Sequence, residues 1–409
     1  MNRLKQLTTF GQSVWLDFTD RQFVASGELK KLITDDAVTG VTSNPAIFAE
    51  AITRGETYQD AVRKASELGW RADLAYEQIV AEDIRAVADE LRDVYERTNG
   101  RDGYVSVEVS PHLARDASLT VGKAREIWAA IDRPNLYIKV PGTREALPAI
   151  RCLVAEGINV NITLLFSVQR YREVAHAYFG GLSDRLASGL SLDKVSSVAS
   201  FFLSRIDQKV DPLLNDIILD TELSLKANSL RGKAAIACAK HAYQVFKELR
   251  SSSIFRRLQT AGAQVQRLLW ASTSTKDPKE RDVRYVESLT GPDTITTLPL
   301  PTLEAFRDHG TPQPKLESEM EDALDTLRNL RELGIDLEGV SAELETQGLE
   351  KFVKPFDHAI GILDEKIALA GALLGSTLSS ADQFPNDPKA ERHSTPEPKP
   401  LSHDKFGRD

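Results

Sequence analysis

Leu136-Tyr137-Ile138-Lys139-Val140-Pro141-Gly142-Thr143 is an apolar, partly β-branched run closed by a Pro-Gly-Thr turn, the pattern of a β-strand. Side chains alternate along a strand, so Leu136, Ile138 and Val140 share one face and Tyr137, Lys139 and Pro141 the other. Helix-like segments flank it on both sides, which makes it a parallel strand covered on both faces, where apolar residues are expected throughout. A lysine there has to find a partner, lose its charge or face a functional cavity. Desolvation disfavours the charged form of a lysine, and a neutral amine attacks carbonyls to form a Schiff base. The bland alternative is an edge-strand lysine reaching solvent along its aliphatic stem.

Working outward, seven further strands are expected: Ser13–Phe18, Gly40–Pro45, Tyr104–Ser110, Ile158–Phe166, Val195–Leu203, Arg267–Ala271 and Thr294–Leu298. A polar lead, Met1 to Gln12, precedes them. Between them the 3.6-residue spacing predicts helices over Asp20–Asp36, several over Ala46–Asn99, then Ser118–Ile131 and Glu145–Glu156, the last stopped by Gly157. Ser167 is placed to cap a helix ending near Phe179. Helices also fill Ile206–Ala261, including Gly232–Leu249, then Asp277–Leu289, and four more helix-like segments cover Thr302–Leu374.

Eight strands alternating with helices predict an α/β fold, a parallel (β/α)8 TIM barrel with extra helices after strand two and at the C-terminus. A doubly wound open sheet is the alternative, but no Gly-x-Gly-x-x-Gly turn follows strand one. Residues 1–375 are expected to form one catalytic domain. Residues 376–409, rich in Pro, Ser, Asp, Lys and His, are expected to be a disordered tail.

Four strands carry functional groups on one face. Trp15 and Asp17 oppose Val14, Leu16 and Phe18; Ser106, Glu108 and Ser110 oppose Val105, Val107 and Val109; Asn161 and Thr163 oppose Val160, Ile162 and Leu164. In a closed barrel the apolar faces meet the helices and the polar faces look inward. One buried ion pair explains Lys139 with Glu108 but leaves Asp17, Asn161 and Thr163 unexplained. A purely structural polar network is the competing reading. A lysine with two carboxylates and a hydroxyl suits Schiff-base carbon–carbon chemistry, in which one carboxylate serves the sugar hydroxyl and the other the imine water. At the rim, Ser200 and Arg205 bracket the end of strand six, and Ser272-Thr273-Ser274-Thr275-Lys276 follows strand seven. Hydroxyls and cations there suit a phosphorylated substrate.

Of the 409 residues 41% are hydrophobic and 27% charged, a composition with ample core. A net charge of −9 argues against bulk binding to nucleic acid or an anionic membrane. No apolar run is long enough to span a membrane and no signal-peptide core is present, so the expectation is cytoplasmic. Cys152 and Cys238 are too few for a disulfide framework and are expected as buried free thiols. The seven histidines are scattered, and neither a metal site nor a cofactor motif is suggested.

On Trp15-Leu16-Asp17, Gly40-Val41-Thr42-Ser43-Asn44-Pro45, Ser106-Val107-Glu108-Val109-Ser110, Ile138-Lys139-Val140-Pro141-Gly142-Thr143, Asn161-Ile162-Thr163-Leu164-Leu165-Phe166-Ser167, and Ser200 with Arg205, the chain resembles the transaldolase family over nearly all of Leu4 to Leu374. Ala146 departs from the glycine more usual after the lysine motif, and Ser274 from a glycine expected before Thr275-Lys276. The resemblance implies metal-free and cofactor-free transfer of a dihydroxyacetone unit between sugar phosphates, by a monomer or homodimer. It implies Lys139 as the imine-forming lysine, Asp17 as the acid/base at the cleaved bond, and Glu108 with Thr163 as holders of a proton-shuttling water. Thr42, Asn44 and Asn161 are implied as hydroxyl-binding groups, Ser200 and Arg205 as phosphate ligands, with Lys276 a further candidate. Two alternatives stand beside it: an aldolase using the same imine to release free dihydroxyacetone, and a catalytically silent barrel serving as a binding protein.

Overall fold

Eight strands form the wall of a closed, all-parallel barrel in a computed structural model, which describes residues 2–54, 56–217 and 221–381. They are β1 (Gln12–Asp17), β2 (Val38–Thr42), β3 (Tyr104–Glu108), β4 (Leu136–Pro141), β5 (Val160–Leu165), β6 (Ser197–Phe202), β7 (Arg267–Ala271) and β8 (Thr294–Leu298). Each pairs with the next, and β8 closes on β1 with Gln12 opposite Thr294 and Leu16 opposite Leu298. The expected barrel is present strand for strand, with ends shifted by a few residues.

Strand alternation sorts the side chains. Val14, Leu16, Val105, Val107, Leu136, Ile138, Val140, Val160 and Ile162 are buried in the outer core with the surrounding helices. Trp15, Tyr104, Tyr137, Val198, Leu269 and Ile295 form a separate cluster inside the barrel. Tyr104 and Tyr137 stack with ring centroids 4.2 Å apart, and Trp15 lies 6.1 Å from Tyr137. Trp15 fits because Gly40 stands opposite it on β2: a Cβ there would lie 2.4 Å from the indole.

β5 ends irregularly. Its register against β6 shifts between Ile162 and Leu165, and Leu164 has a φ of +59°. A left-handed conformation costs a non-glycine residue about 1–2 kcal/mol. Leu164 and Leu165 are both buried in the outer core, which offsets that cost.

Several helices differ from expectation for local reasons. The polar lead contains a helix, Arg3–Thr9, capped by Asn2 and anchored by buried Leu4 and Leu7. Asp20–Asp36 is two helices, Arg21–Ala25 and Glu28–Asp35, separated at Gly27. The helix capped by Ser167 runs on to Ala187. Within Asp277–Leu289 only Arg284–Ser288 is α-helical. There the Asp277 carboxylate accepts from the Lys279 N–H and the Thr275 hydroxyl donates to the Arg281 carbonyl, local bonds that compete with a helix. Gly157 ends its helix as expected, in a left-handed cap at φ +90°. Both cysteines are free; Cys238 is buried, but Cys152 is half-exposed.

The four segments expected over Thr302–Leu374 resolve into three helices: Leu300–His309, Met320–Glu332 and Leu337–Ala381, the last carrying Pro355 inside it. This terminal helix is strapped across the C-terminal mouth of the barrel. The Ser341 hydroxyl donates to the Phe166 carbonyl (3.1 Å) and the Ser167 hydroxyl to Glu338 (2.7 Å), both just beyond β5. Asp357 meets His112 beyond β3 (2.7 Å), and Lys366 donates to the Ile52 carbonyl beyond β2 (2.7 Å). The helix includes residues 376–381 of the stretch expected to be disordered; residues 382–409 lie outside the described residues. No helix among the described residues is long and apolar enough to cross a membrane.

Candidate active site

Strand register gathers the polar residues at one end of the barrel. Asp17 stands opposite Thr42, Glu108 opposite Lys139, Lys139 opposite Asn161, and Pro141 opposite Thr163. Asp17, Thr42 and Glu108 are the last residues of their strands, and Lys139, Asn161 and Thr163 lie beside them in register, toward the end where a parallel barrel opens to its C-terminal loops. The Lys139 amine lies 2.5 Å from Glu108 Oε1 and donates to the Ser43 carbonyl at 2.9 Å. Both side chains of the pair are buried, 6% and 8% exposed. Beyond this contact with Lys139, Glu108 Oε1 has no further hydrogen-bond partner. The Thr163 hydroxyl is also buried without a hydrogen bond.

Asp17 accepts from the Thr42 hydroxyl at 2.7 Å, and Thr42 Oγ1 lies 2.8 Å from Thr297 Oγ1. Asn161 is held from two sides, accepting from the Ser200 hydroxyl (2.7 Å) and donating to Ser106 Oγ (3.0 Å). Asn44 uses its carbonyl to cap the helix Pro45–Arg54, accepting from the N–H groups of Ala46 and Ile47, which leaves its Nδ2 for another partner.

Burial sets the electrostatics. It raises the Asp17 carboxyl above the usual carboxylate range against the opposing pull of Lys139 and the Thr42 hydrogen bond. It raises Glu108 likewise against Lys139, with Asp17 adding a smaller push in the same direction. A carboxylate with a raised pKa accepts a proton more readily near neutral pH, the property general acid–base work requires.

At the rim, Arg205 opens the helix Ser204–Asp216 that follows β6. It does not pair with nearby Asp207, which instead accepts from the Ala235 N–H (2.8 Å) and the Tyr285 hydroxyl (2.7 Å). Burial lowers the pKa of the Lys276 ammonium, and the charge of Arg205 lowers it further; the same two causes act on Lys351 of the terminal helix. Lys276 donates to Ser274 Oγ at 2.5 Å. Three cations from three elements thus share one field at the mouth. Ser200 is buried, its hydroxyl donating to Asn161.

Lys139, Asp17, Glu108, Thr163, Thr42 and Asn161 therefore converge, with Asn44 at their edge and Arg205 and Lys276 at the rim. Sequence reasoning missed what the terminal helix contributes: Lys351, and Phe352, whose ring centroid lies 5.9 Å from the Lys139 amine. No motif ties that helix to β4; the only signal was the spacing of Phe352 and Phe356 on one helical face. A cavity of about 700 Å³ lies away from this cluster, between the helices Val168–Ala187 and Met320–Glu332 and lined by Arg172, His241 and Arg331. It lacks the convergent lysine and carboxylates, so the chemistry points to the barrel mouth.

Comparison with known proteins agrees. Residues 14–363 match the family model described as transaldolase/fructose-6-phosphate aldolase. A transaldolase of Trichodesmium erythraeum is 43% identical over 371 residues, covering 90% of this chain and 98% of the relative. A protein named transaldolase 2 from Nostoc punctiforme is 44% identical, with 90% and 98% covered, and a transaldolase of Thiobacillus denitrificans is 46% identical, with 86% and 97% covered. With the barrel, the buried lysine on β4 and this span of similarity together, the chain belongs to the transaldolase/fructose-6-phosphate aldolase family.

Proposed function

We propose that this chain is a transaldolase that moves a dihydroxyacetone unit from a ketose phosphate, sedoheptulose 7-phosphate or fructose 6-phosphate, to an aldose phosphate, glyceraldehyde 3-phosphate or erythrose 4-phosphate, in the non-oxidative pentose phosphate pathway. The observation that carries the reading is the buried amine of Lys139 at 2.5 Å from Glu108, on the strand next to it, with Asp17 close enough to feel its charge. Glu108 takes the ammonium proton, freeing the Lys139 lone pair to attack the ketone carbon. The same proton returns to the carbinolamine oxygen as water leaves and the imine forms. Thr163, with its unpaired hydroxyl, holds that water beside Glu108.

Asp17 then removes the proton from the hydroxyl next to the bond that breaks. The bond electrons flow into the iminium, leaving an enamine on Lys139 and a shortened aldose phosphate. Thr42 steadies Asp17, while Asn44 and Asn161 meet the sugar hydroxyls. Ser200 acts here through Asn161, to which it is bonded, and Arg205 with Lys276 meets the phosphate.

Borohydride reduction in the presence of fructose 6-phosphate should leave a mass adduct on Lys139; an active enzyme with no adduct sinks the imine. Dihydroxyacetone transfer should require an aldose acceptor. Rapid acceptor-independent release would instead assign the chain to the lyase branch of its family. Arg205→Ala should raise KM for the phosphorylated donor by roughly ten- to a hundred-fold, with a smaller change in kcat, because a charge-assisted contact shared by ground and transition states is lost.

A further inference from the structure

The terminal helix Leu337–Ala381 is more than a brace. Gly348 brings its backbone against β5, where an added Cβ would lie 2.9 Å from Leu164 Cδ2. One turn later Phe352 stands over the Lys139 amine at 5.9 Å from the ring centroid. One turn further, Phe356 packs edge-on to Tyr76 (5.2 Å) and beside His112 (5.9 Å). Ser341, Asp357 and Lys366 pin the helix to the loops after β5, β3 and β2. The ring above the amine is thus held in place from both sides along its own helix.

We infer that Phe352 is the roof that keeps solvent from the enamine carried by Lys139, and so sets how the enzyme divides between transfer and release. The inference rests on the imine reading above. Once the donor's aldose has gone, the enamine carbon has two fates. It can attack the acceptor aldehyde, forming the new carbon–carbon bond while the aldehyde oxygen takes a proton. Alternatively it takes a proton from solvent, after which water adds to the iminium, the carbon–nitrogen bond breaks and dihydroxyacetone leaves. Both fates end when water adds to an iminium and frees the lysine; they differ in what captures the enamine carbon, a solvent proton in release and the acceptor carbonyl in transfer. An apolar ring over the amine limits the solvent that can protonate that carbon without obstructing an acceptor held by its phosphate at the rim. Phe352 is a positioning residue in this scheme, since it takes up no proton and makes no bond.

The test is the ratio of dihydroxyacetone released to dihydroxyacetone transferred, measured with fructose 6-phosphate as donor. Each variant is also trapped with borohydride and its melting temperature recorded. Phe352→Ala should raise the ratio by roughly tenfold while Lys139 is still trapped. Phe352→Leu, which keeps most of the apolar bulk, should fall between wild type and alanine. A ratio unchanged in folded, trappable Phe352→Ala overturns the inference, as does a leucine variant no better than alanine. Should the alanine variant fail to fold, Phe352→Leu against wild type still decides the matter: a ratio equal to wild type in Phe352→Val as well would overturn it. Failure to trap the wild-type enzyme would instead remove the imine reading and is seen separately.

Discussion

The barrel holds two buried cation–carboxylate pairs, one at each end, and they are built differently. At the closed end, Arg267 of β7 lies 3.0 Å from Asp102. Arg267 also donates to Ser13 Oγ (2.8 Å) and to the Arg101 carbonyl (2.5 Å), while Asp102 accepts from the Ser13 hydroxyl (2.7 Å) and the Trp15 indole N–H (3.1 Å). At the open end, Lys139 and Glu108 are equally buried, yet Glu108 Oε1 has no partner beyond Lys139, and the Thr163 hydroxyl is buried without a hydrogen bond. A guanidinium cannot shed its proton in a protein, and its planar fork is matched to fixed acceptors. An ammonium on a flexible stem can give its proton up. The lower pair is tied into several directed hydrogen bonds; the upper one is bound less fully, as the proposed role in catalysis requires.

Changing the cation in each pair tests that contrast. Lys139→Arg keeps charge and burial but removes the nucleophile, so activity should fall by on the order of ten-thousand-fold or more with no borohydride adduct. Retained turnover would place the chemistry elsewhere. Arg267→Met should act the other way. It leaves Asp102 buried without its counter-charge and should lower unfolding free energy by about 3–5 kcal/mol, with kcat per folded molecule unchanged. Denaturant melts read the first effect and a folded-fraction-corrected assay the second.

A third buried carboxylate, Asp207, sharpens the comparison because no ion pair holds it. Burial pushes its carboxyl up from the ordinary carboxylate range to about 6, against opposing hydrogen bonds from Ala235 and Tyr285. The folded state therefore keeps this proton at pH values where the unfolded chain has lost it. Its stabilising contribution is complete below the unfolded pKa and is lost as pH rises through about 6. Asp207→Asn removes that dependence. Between pH 4 and pH 7 the variant should gain on wild type by on the order of 2–3 kcal/mol in unfolding free energy. Parallel stability curves would show that Asp207 ionises freely in the folded protein.

The open-end pair was legible from sequence because strand periodicity is short and a covered strand tolerates few polar residues. Lys139, Glu108, Asp17, Asn161 and Thr163 each broke an apolar pattern, and their positions near strand ends brought them together once the barrel closed. The closed-end pair was not legible. Arg267 is the first residue of β7 and Asp102 lies in the turn before β3, positions where a charge ordinarily meets water. Their meeting depends on barrel closure around Trp15, a tertiary event with no local signature. Phe352 was hidden for a related reason. Pro355 lies inside its helix, and proline commonly interrupts one, so periodicity alone divided this region into more segments than the structure has. What sequence could not show at Ser200 was its bond to Asn161 of the neighbouring strand, which depends on the pairing of β5 with β6.

The stack of Trp15, Tyr104 and Tyr137, all nearly inaccessible, makes the lower half of the barrel solid. A sugar phosphate entering above it therefore has one door, and the terminal helix stands across that door. In the proposed mechanism the shortened aldose phosphate has to leave before an acceptor can take its place over Lys139. With one entrance, the proposed mechanism takes its substrates by turns: donor in, first product out, acceptor in, second product out. The aromatic plug allows no second route past the covalently held unit, and a ping-pong pattern of initial rates is the kinetic signature of that order.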